Sequence, residues 1–394
     1  MHSTEAIVTT ARRCSLPPLS LYIHLPWCVS KCPYCDFNSH VAQSSLNQKL
    51  YIDALIADLE CDLPYLQNRP LSSLFIGGGT PTLFSADMIA SLLTRVKDSL
   101  RLKPQCEITL EANPESADFS KLRDLREAGI NRISIGIQSL NDQLLARIGR
   151  AHDAAQSLQA FENARRAGFA NINCDLMFGL PEQTSVQALA DLAGVIRLKP
   201  EHISWYQLTI EPNTFFYTDR PRLPDDDTIW QLQSEGITQL EASGYSRYEV
   251  SAYSRARPCS HNLNYWQFGD YLGIGAGAHG KLTLAAENRI IRTRKHRSPE
   301  RYMAKATDGQ ACVEIRELSA SEASFEFLLN ALRLTDGFAK TLFNRTGLAN
   351  TTLERQLARF IDKRWIISDG RYFKPSSYGM RFLNEILEDC LPDG

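Results

Sequence analysis

The chain has 394 residues, of which 43% are apolar and 22% are charged, and its formal net charge is −2. This composition argues against a disordered chain, and the length exceeds what one hydrophobic core usually fills, so we expect at least two domains. The near-zero net charge gives no global attraction to nucleic acid or to an anionic membrane.

The N-terminal residues and the cysteine content indicate the compartment. Residues 1–19 lack the apolar stretch of a secretory signal, and we expect them to form a flexible tail. No apolar run approaches the roughly 20 residues that span a bilayer, so an integral membrane protein is not expected. Ten cysteines, three of them within eight positions, do not resemble a disulfide framework, and a cytoplasmic location is expected.

From residue 20 to residue 245, short β-branched and apolar runs alternate with segments of helical period. This alternation is typical of a parallel α/β sheet or barrel. We predict an α/β fold with a partial (β/α)6 TIM-like barrel, whose six strands lie near residues 21–25, 74–76, 107–110, 132–137, 171–177 and 202–208. One helix is predicted to begin after the N-cap Ser85, and another over residues 153–167 to end at Gly168.

The rest of the chain has a different pattern. Residues 246–315, rich in Gly, Arg and Tyr, are predicted to be a connecting region, and residues 316–394 a C-terminal α+β domain. The order of helix, helix, hairpin at 365–373 turning at Asp369 and Gly370, and a last helix predicts a winged-helix-like domain. Its mixed charges and lack of an aromatic-basic stripe give no expectation of a nucleic-acid partner.

Cys28, Cys32 and Cys35 have the spacing C-x-x-x-C-x-x-C directly after the first predicted strand. A 4Fe–4S cubane takes one thiolate per iron, so three thiolates leave one iron open to a ligand. A structural zinc site prefers four ligands in two separated pairs, and three ordinary buried cysteines rarely have this spacing. The pattern therefore favours a 4Fe–4S cluster over these two alternatives.

Later strands each end in a glycine or a polar residue: the segment GGGTPT at residues 77–82, Glu111, Gln138 and Asp175. Because the carboxyl ends of parallel strands open on one face, these residues are expected to form a ligand cradle there. The glycine segment alone is equally compatible with a tight strand-to-helix turn. Arg150 follows the strand of Gln138 and is a candidate partner for a carboxylate.

The cysteine motif resembles that of the radical S-adenosylmethionine (SAM) superfamily, and residues 22–212 resemble its coproporphyrinogen oxidase-like branch. The similar segments are YIHLPWC, GGGTPT, ISIGIQSLN, Arg150 and CDLMFGLPEQT. The resemblance implies that SAM chelates the open iron and is cleaved to a radical after electron transfer from an electron donor. It also implies nine SAM contacts: Tyr22, Tyr34, Gly78, Gly79, Thr80, Glu111, Gln138, Arg150 and Asp175.

Within that branch the chain resembles the haem chaperones, through CDF at residues 35–37, HNLNYW at 261–266 and EFLLNALRLTDGF at 326–338. The oxidases typically have a fourth motif cysteine where this chain has Phe37, so oxidase activity is not expected from the motif. The resemblance implies haem binding and transfer to an acceptor protein, free or membrane-associated, with the cluster and SAM retained. Coproporphyrinogen III oxidation and radical chemistry on another substrate stay as alternatives, and no catalytic residue is assigned.

His261, beside Tyr265 and Trp266, is the candidate haem ligand implied by this resemblance. A neutral imidazole is a common axial ligand, but a histidine beside aromatic residues is also often a hydrogen-bonded structural residue. His279 and Cys259 are alternative ligands. Three arginines are candidates for pairing with the haem propionates, or else form a solvated basic face: Arg247, Arg255 and Arg257.

Overall fold

The computed structural model describes residues 14–42 and 46–392. The first thirteen residues of the predicted N-terminal tail lie outside the described residues. Residues 14–18 form no helix or strand, and the first strand begins at Leu19. Within the described ranges, no helix is both long and apolar enough to cross a membrane.

The strands of the described residues are numbered in chain order. They are β1 Leu19–Leu25, β2 Trp27–Cys28, β3 His40–Val41, β4 Leu71–Gly78, β5 Leu102–Ala112, β6 Arg132–Gln138, β7 Ile172–Phe178, β8 His202–Gln207, β9 Ser246–Glu249, β10 Ala252–Ser254, β11 Asp270–Ile274, β12 His279–Leu284, β13 Arg289–Lys295, β14 Cys312–Glu317, β15 Phe338–Ala339, β16 Ile366–Ser368 and β17 Tyr372–Pro375. Each of the six predicted strands is present, as β1, β4, β5, β6, β7 and β8.

The α-helices are α1 Gln48–Asp62, α2 Ala86–Ser99, α3 Phe119–Ala128, α4 Asp142–Arg147, α5 Ala154–Arg166, α6 Ser185–Leu198, α7 Phe215–Thr218, α8 Asp226–Ala242, α9 Ser260–Trp266, α10 Pro299–Ala306, α11 Ala320–Ala331, α12 Asn350–Asp362 and α13 Leu383–Glu388. Short 3-10 helices lie at Leu63–Leu66, Pro81–Leu83, Pro114–Ser116, Lys340–Thr346 and Gly379–Phe382.

Two helix boundaries follow from local capping. Ser85 is the N-cap of α2, and its side chain accepts a hydrogen bond from the backbone N–H of Met88 at 3.3 Å. Asp153 and Gln156 form a reciprocal capping box at the start of α5. Gly168, just past α5, has a φ of +88°, which glycine adopts without steric cost. Both predicted helices are therefore confirmed.

The parallel strands lie side by side in the order β1-β4-β5-β6-β7-β8. Apolar side chains of these strands and of the flanking helices form one large core, which includes Ile23, Leu74, Ile133, Leu55 and Leu92. The mixed α/β fold with a parallel sheet at its centre is thereby confirmed. Because the strands are parallel, their carboxyl ends meet at one edge. Gly78, Glu111 and Gln138 lie in the last two residues of β4, β5 and β6. Asp175 lies three residues before the end of β7, so its prediction as a strand-end residue was wrong, because the apolar run of β7 continues beyond it.

The predicted connecting region, residues 246–315, belongs to the same sheet. β11 pairs in parallel with β1, and β12, β13 and β14 continue the sheet in antiparallel fashion, while β10 and β9 extend it beyond β8. The sheet therefore has twelve strands in its described part. The helical period is weak here because the segment consists of short strands with only two short helices, α9 and α10, between them. The sequence pattern did not reveal that these strands add to the parallel sheet.

The C-terminal part follows the predicted order, with α11, α12, the β16–β17 hairpin and α13. The carboxylate of Asp369 accepts backbone hydrogen bonds from Arg371 and Tyr372, both at 2.8 Å, and Gly370 has a φ of +82°. A separate apolar cluster fills this domain around Phe327 and Phe343, whose ring centroids are 5.0 Å apart. Residues from the preceding region, such as Phe268, also belong to this cluster.

Candidate functional site

The three motif cysteines lie in a loop at the carboxyl end of β1. The short strands β2 and β3 close this loop by pairing in parallel, and the backbone N–H of Ala42 donates to the carbonyl of Cys28 at 2.8 Å. Within the loop the N–H of Cys35 donates to the carbonyl of Cys32 at 3.2 Å. All three thiols are half-buried and free. The loop thus presents three thiols at the strand-end face of the sheet.

The glycine segment after β4 packs directly beneath the cysteine loop. The N–H of Gly79 donates to the carbonyl of Leu25 at 2.8 Å, and that of Thr80 donates to the carbonyl of Trp27 at 2.6 Å. A Cβ at position 79 would lie 2.4 Å from the Trp27 carbonyl oxygen, so no side chain fits there. Gly78 has a φ of +115°, a conformation that favours glycine. The segment is therefore needed for close backbone approach and also forms a cavity wall.

A first cavity of about 380 Å³ opens beside the cysteine loop. Most of the residues predicted from the cysteine motif and the strand ends line it, although they come from separate strands and loops of the chain. These lining residues are Cys28, Cys32, Tyr34, Cys35, Gly78, Gly79, Glu111, Gln138, Arg150 and Asp175. The parallel sheet therefore brings the three thiols and the polar residues of several strands to one cavity.

Two half-buried carboxylates face this first cavity. Glu111 accepts a hydrogen bond from the N–H of Gly78 at 3.1 Å, and burial, together with the nearby Asp175, raises the pKa of Glu111 to about 7. Asp175 accepts from Ser134 at 3.0 Å and from Asn173 at 2.8 Å, and burial raises its pKa as well. Neither carboxylate has an ion-pair partner among the described residues, so a cationic ligand in the cavity would stabilise both.

Arg150 links the cavity to the cysteine loop. Its guanidinium donates to the side-chain oxygen of Asn113 at 2.7 Å and to the carbonyl of Gly136 at 3.1 Å, and it lies 3.7 Å from the sulfur of Cys32. Its Nε is buried without a hydrogen-bond partner in the described part of the chain. Arg150 therefore connects the Cys32 side of the loop with Asn113 and with β6.

The donor set fits an iron–sulfur cluster with a polar ligand. Burial raises the pKa of Cys28 and Cys35, so their thiolates need a cationic partner such as iron. Among the described residues, no three His, Cys, Asp or Glu side chains are grouped to hold one metal ion. A cubane does not require such a group, because each of its cysteines binds a different iron.

Comparison with known proteins gives the family. Residues 22–193 match the Radical SAM superfamily. The chain is 47% identical to the heme chaperone HemW of Haemophilus influenzae and 44% identical to the heme chaperone HemW of Escherichia coli, each over 95% of this chain and 98% of the relative. The chain belongs to the HemW family.

The fold of this HemW-family chain also matches a solved structure. It resembles coproporphyrinogen III oxidase (HemN) from Escherichia coli, a radical SAM enzyme, with a TM-score of 0.80 over 99% of this chain and 93% of that one. The two chains are 22% identical, so this similarity shows the shared fold and leaves the activity open.

Two of the predicted SAM contacts do not line the first cavity of the HemW-family chain. Thr80 is 2% exposed and lies below Cys28, where its hydroxyl accepts a hydrogen bond from Asn113 at 2.8 Å. Tyr22 lines a second, larger cavity of about 720 Å³, and its hydroxyl is 2.9 Å from Nδ1 of His24. Tyr22 was proposed from the family resemblance alone, and it lies in the middle of β1, three residues before the strand ends.

His261 lies in the interior and is 2% exposed. Its Nδ1 is 3.0 Å from the hydroxyl of Ser73, its Nε2 is 3.2 Å from the hydroxyl of Tyr265, and its ring packs on Phe75 with centroids 5.0 Å apart. Burial lowers its pKa to about 3. His261 therefore lines neither cavity. Its contacts are those of a hydrogen-bonded structural histidine, which was the alternative to a haem ligand.

Among the other candidates for haem contact, only His279 lines one of the two cavities. Cys259 is buried, with its sulfur 3.3 Å from the carboxylate of Glu107. Arg247 donates to the carbonyl of Val250 at 2.6 Å, and none of Arg247, Arg255 and Arg257 lines either cavity. His279, in contrast, is exposed and lines the second cavity.

Several lining residues were missed by the sequence analysis. Tyr206, near the end of β8, donates from its hydroxyl to the side-chain oxygen of Gln138 at 2.9 Å, and Gln138 has an unusual φ of +67°. Asn113 directly follows β5 and bonds Arg150. Both lie at the strand ends where the other cradle residues were found, so the same pattern could have identified them. Ser134 lies inside β6 and had no such signal.

Proposed function

We propose that this chain binds haem and transfers it to an acceptor protein, and that it carries a 4Fe–4S cluster on Cys28, Cys32 and Cys35 with exchangeable SAM in the first cavity. The proposal is carried by 47% identity, over nearly the whole chain, to a protein named heme chaperone HemW. Phe37 at the fourth motif position agrees with it, since that residue cannot supply a further thiolate.

The cavity residues would have distinct roles in this proposal. The cluster, when bound and reduced, supplies an electron and offers one iron to a ligand. Glu111 and Asp175 would accept hydrogen bonds from the ammonium group and the ribose hydroxyls of SAM, with Gln138 as a further polar contact. Gly78, Gly79 and Tyr34 would form the walls, and Arg150 would orient the cysteine loop through Cys32. Thr80 and Tyr22 would support the site from outside the first cavity.

The partners and the compartment are part of the same proposal. Haem is the cargo, a haem-acceptor protein, free or membrane-associated, receives it, and an electron donor reduces the cluster. All ten cysteines are free, as expected for the reducing cytoplasm.

The experiment is anaerobic reconstitution of the full chain with iron and sulfide, followed by addition of haem and quantitation of all three. We expect about four non-haem irons and four sulfides per chain, as in a cubane, and haem that stays bound through gel filtration. Haem that elutes entirely free from a chain with a full cluster would reject the chaperone proposal.

A second candidate function is oxygen-independent coproporphyrinogen III oxidation, which the shared fold with the oxidase HemN favours. Incubation with coproporphyrinogen III, SAM and a reductant would then release carbon dioxide. Phe37 argues against this outcome, and we expect no product under conditions that reduce the cluster. Formation of 5′-deoxyadenosine that depends on some other metabolite would instead indicate radical chemistry on a third substrate.

A further inference from the structure

The wall of the second cavity places a histidine next to an arginine. His279 begins β12 and pairs directly with Arg294 on β13. Residues paired in this way have Cβ atoms about 4.5–5.5 Å apart and project from the same face of the sheet. Both side chains line the cavity, and so does Arg297, two residues after the end of β13. One imidazole and two guanidinium groups therefore share this wall.

The imidazole of His279 is available to a ligand. It is exposed, and neither ring nitrogen has a hydrogen-bond partner among the described residues. Burial of part of the ring and the charges of Arg292 and Arg294 lower its pKa, which favours the neutral form. His24 lines the same cavity, but its nitrogens are 2.9 Å from the Tyr22 hydroxyl and 3.0 Å from the Asn38 carbonyl. His279 is the better donor to a metal.

The two arginines of this wall can bind carboxylates. The guanidinium of Arg297 has no ion-pair partner in the described ranges of the chain. Arg294 pairs with Glu314 at 2.9 Å, but both side chains are exposed, and exposed pairs contribute little. A guanidinium matches the geometry of a carboxylate and binds it through two parallel hydrogen bonds. Two carboxylates of one ligand could therefore be held at this end of the cavity.

Aromatic side chains form another part of the cavity wall. Phe37 is 57% exposed, and Tyr265 packs edge-on against Tyr271 with ring centroids 4.4 Å apart. The hydroxyl of Tyr265 contacts Nε2 of His261, so helix α9 fixes this part of the wall. Such rings suit the packing of a flat conjugated ligand.

The acidic residues of the second cavity are Asp36 and Glu111, and both also line the first cavity. His279, Arg294 and Arg297 line the second cavity alone. Negative charge thus lies on the side that the two cavities share, and positive charge lies on the other.

We propose that haem binds in the second cavity, with its iron on the imidazole of His279 and its two propionates on Arg294 and Arg297. The proposal deepens the proposed chaperone function and rests on it. A flat ring with a metal at its centre and two carboxylates at one edge matches the nitrogen donor, the paired cations and the aromatic wall. The cavity volume of about 720 Å³ lies within the roughly 300–1,000 Å³ usual for small-molecule sites. His261 acts as a positioning residue through Tyr265.

The first test titrates the full chain with haemin and follows the Soret band. For His279→Ala we expect a shifted band and an affinity lower by at least about tenfold, since even residues that only support a metal ligand cost about 10- to 100-fold. Imidazole added to His279→Gly should restore the wild-type band. The matched control is His296→Ala, a nearby histidine that lines neither cavity. If the wild type binds haemin and His279→Ala has the same Soret band and the same affinity, this inference is overturned and the chaperone proposal stands. Absence of wild-type binding would reject the chaperone proposal itself.

A second test separates His261 from His279. For His261→Ala we expect a lower haem affinity and a lower melting temperature with the Soret band at its wild-type position, because the wall is disturbed but the ligand is kept. A shifted band in His261→Ala that added imidazole restores would assign the iron to His261 and overturn the inference.

A third test concerns the propionates. The double variant Arg294→Ala/Arg297→Ala should bind haemin less tightly than the wild type but should bind haemin dimethyl ester, which lacks free carboxylates, with unchanged affinity. Equal loss for both ligands, or loss for neither, would contradict the proposed pairing.

Discussion

The first and second cavities share four wall residues, Asp36, Phe37, Gly78 and Glu111, yet their chemistry differs. The first cavity collects thiols from the loop after β1 and half-buried carboxylates from the parallel strands β5 and β7, and it suits a cationic ligand. The second cavity is formed largely by residues around the antiparallel strands β12 and β13 and presents an imidazole, guanidinium groups and aromatic rings. A sheet that adds a few antiparallel strands to a parallel core can thus offer sites of opposite charge side by side.

The largest expected effect is loss of the cluster. In the triple variant Cys28→Ala/Cys32→Ala/Cys35→Ala, iron and sulfide after anaerobic reconstitution should fall to background, because no other thiol of the described residues lines the first cavity. The matched control replaces Cys61, Cys312 and Cys390 and should keep its full content. If the triple motif variant retained iron and sulfide, the three cysteines would not hold the cluster. The first cavity could then no longer be identified as the cluster site.

The variant Asp175→Asn tests the first cavity alone, because Asp175 lines the first cavity and not the second. Loss of a charged hydrogen-bond acceptor costs about 1.5–3 kcal/mol, which corresponds to a loss of roughly 10- to 150-fold in SAM affinity. Equilibrium dialysis with labelled SAM measures this, with the exposed Asp98→Asn as the control. Haem affinity should not change, and a parallel loss of both ligands would show that the cavities are not independent.

Glu111 predicts a pH dependence of stability. Its pKa is raised by burial from 4.5 to about 7 in the folded protein, so between these values the folded state binds more protons than the unfolded state. Its contribution to stability is therefore lost as pH rises through this window. Calorimetry of the ligand-free chain should show wild type losing melting temperature relative to Glu111→Gln between about pH 5 and pH 8. Parallel curves for the two proteins would contradict the raised pKa.

Phe37→Ala is expected to have the smallest effect. Aromatic packing contributes about 0.5–1.5 kcal/mol, so haem affinity should fall about threefold to tenfold. Iron content and melting temperature should not change, because the ring is exposed. Phe215→Ala, an exposed phenylalanine that lines neither cavity, is the control, and an equal effect in both variants would contradict a specific contact.

The sequence predicted the first cavity well because its residues occupy regular positions. The six parallel strands had clear apolar runs, and the residue after each run had to lie at the common edge of the sheet. Glu111 and Gln138 could therefore be named without a structure. Asp175 was also named and lines the first cavity, although it lies in the middle of β7 and not at its end. Thr80 shares that edge but turns beneath the cysteine loop, a difference of side-chain direction that strand position does not encode.

The second cavity could not be predicted in this way. His279 and Arg294 are fifteen positions apart in sequence and become neighbours only through the register of β12 and β13. Their strands belong to the region taken as a connection, where neither helical nor strand periodicity was strong. For the same reason the sequence could not show that His261, in a conspicuous aromatic motif, forms two buried hydrogen bonds instead of facing an opening.

The continuous sheet described above restricts how cargo could leave. Because β11 pairs with β1 and β1 pairs with β4, hydrogen bonds run without interruption beneath both cavities. A hinge cannot open between them without breaking these strand pairs. Haem release should therefore depend on movements of side chains and of the cysteine loop.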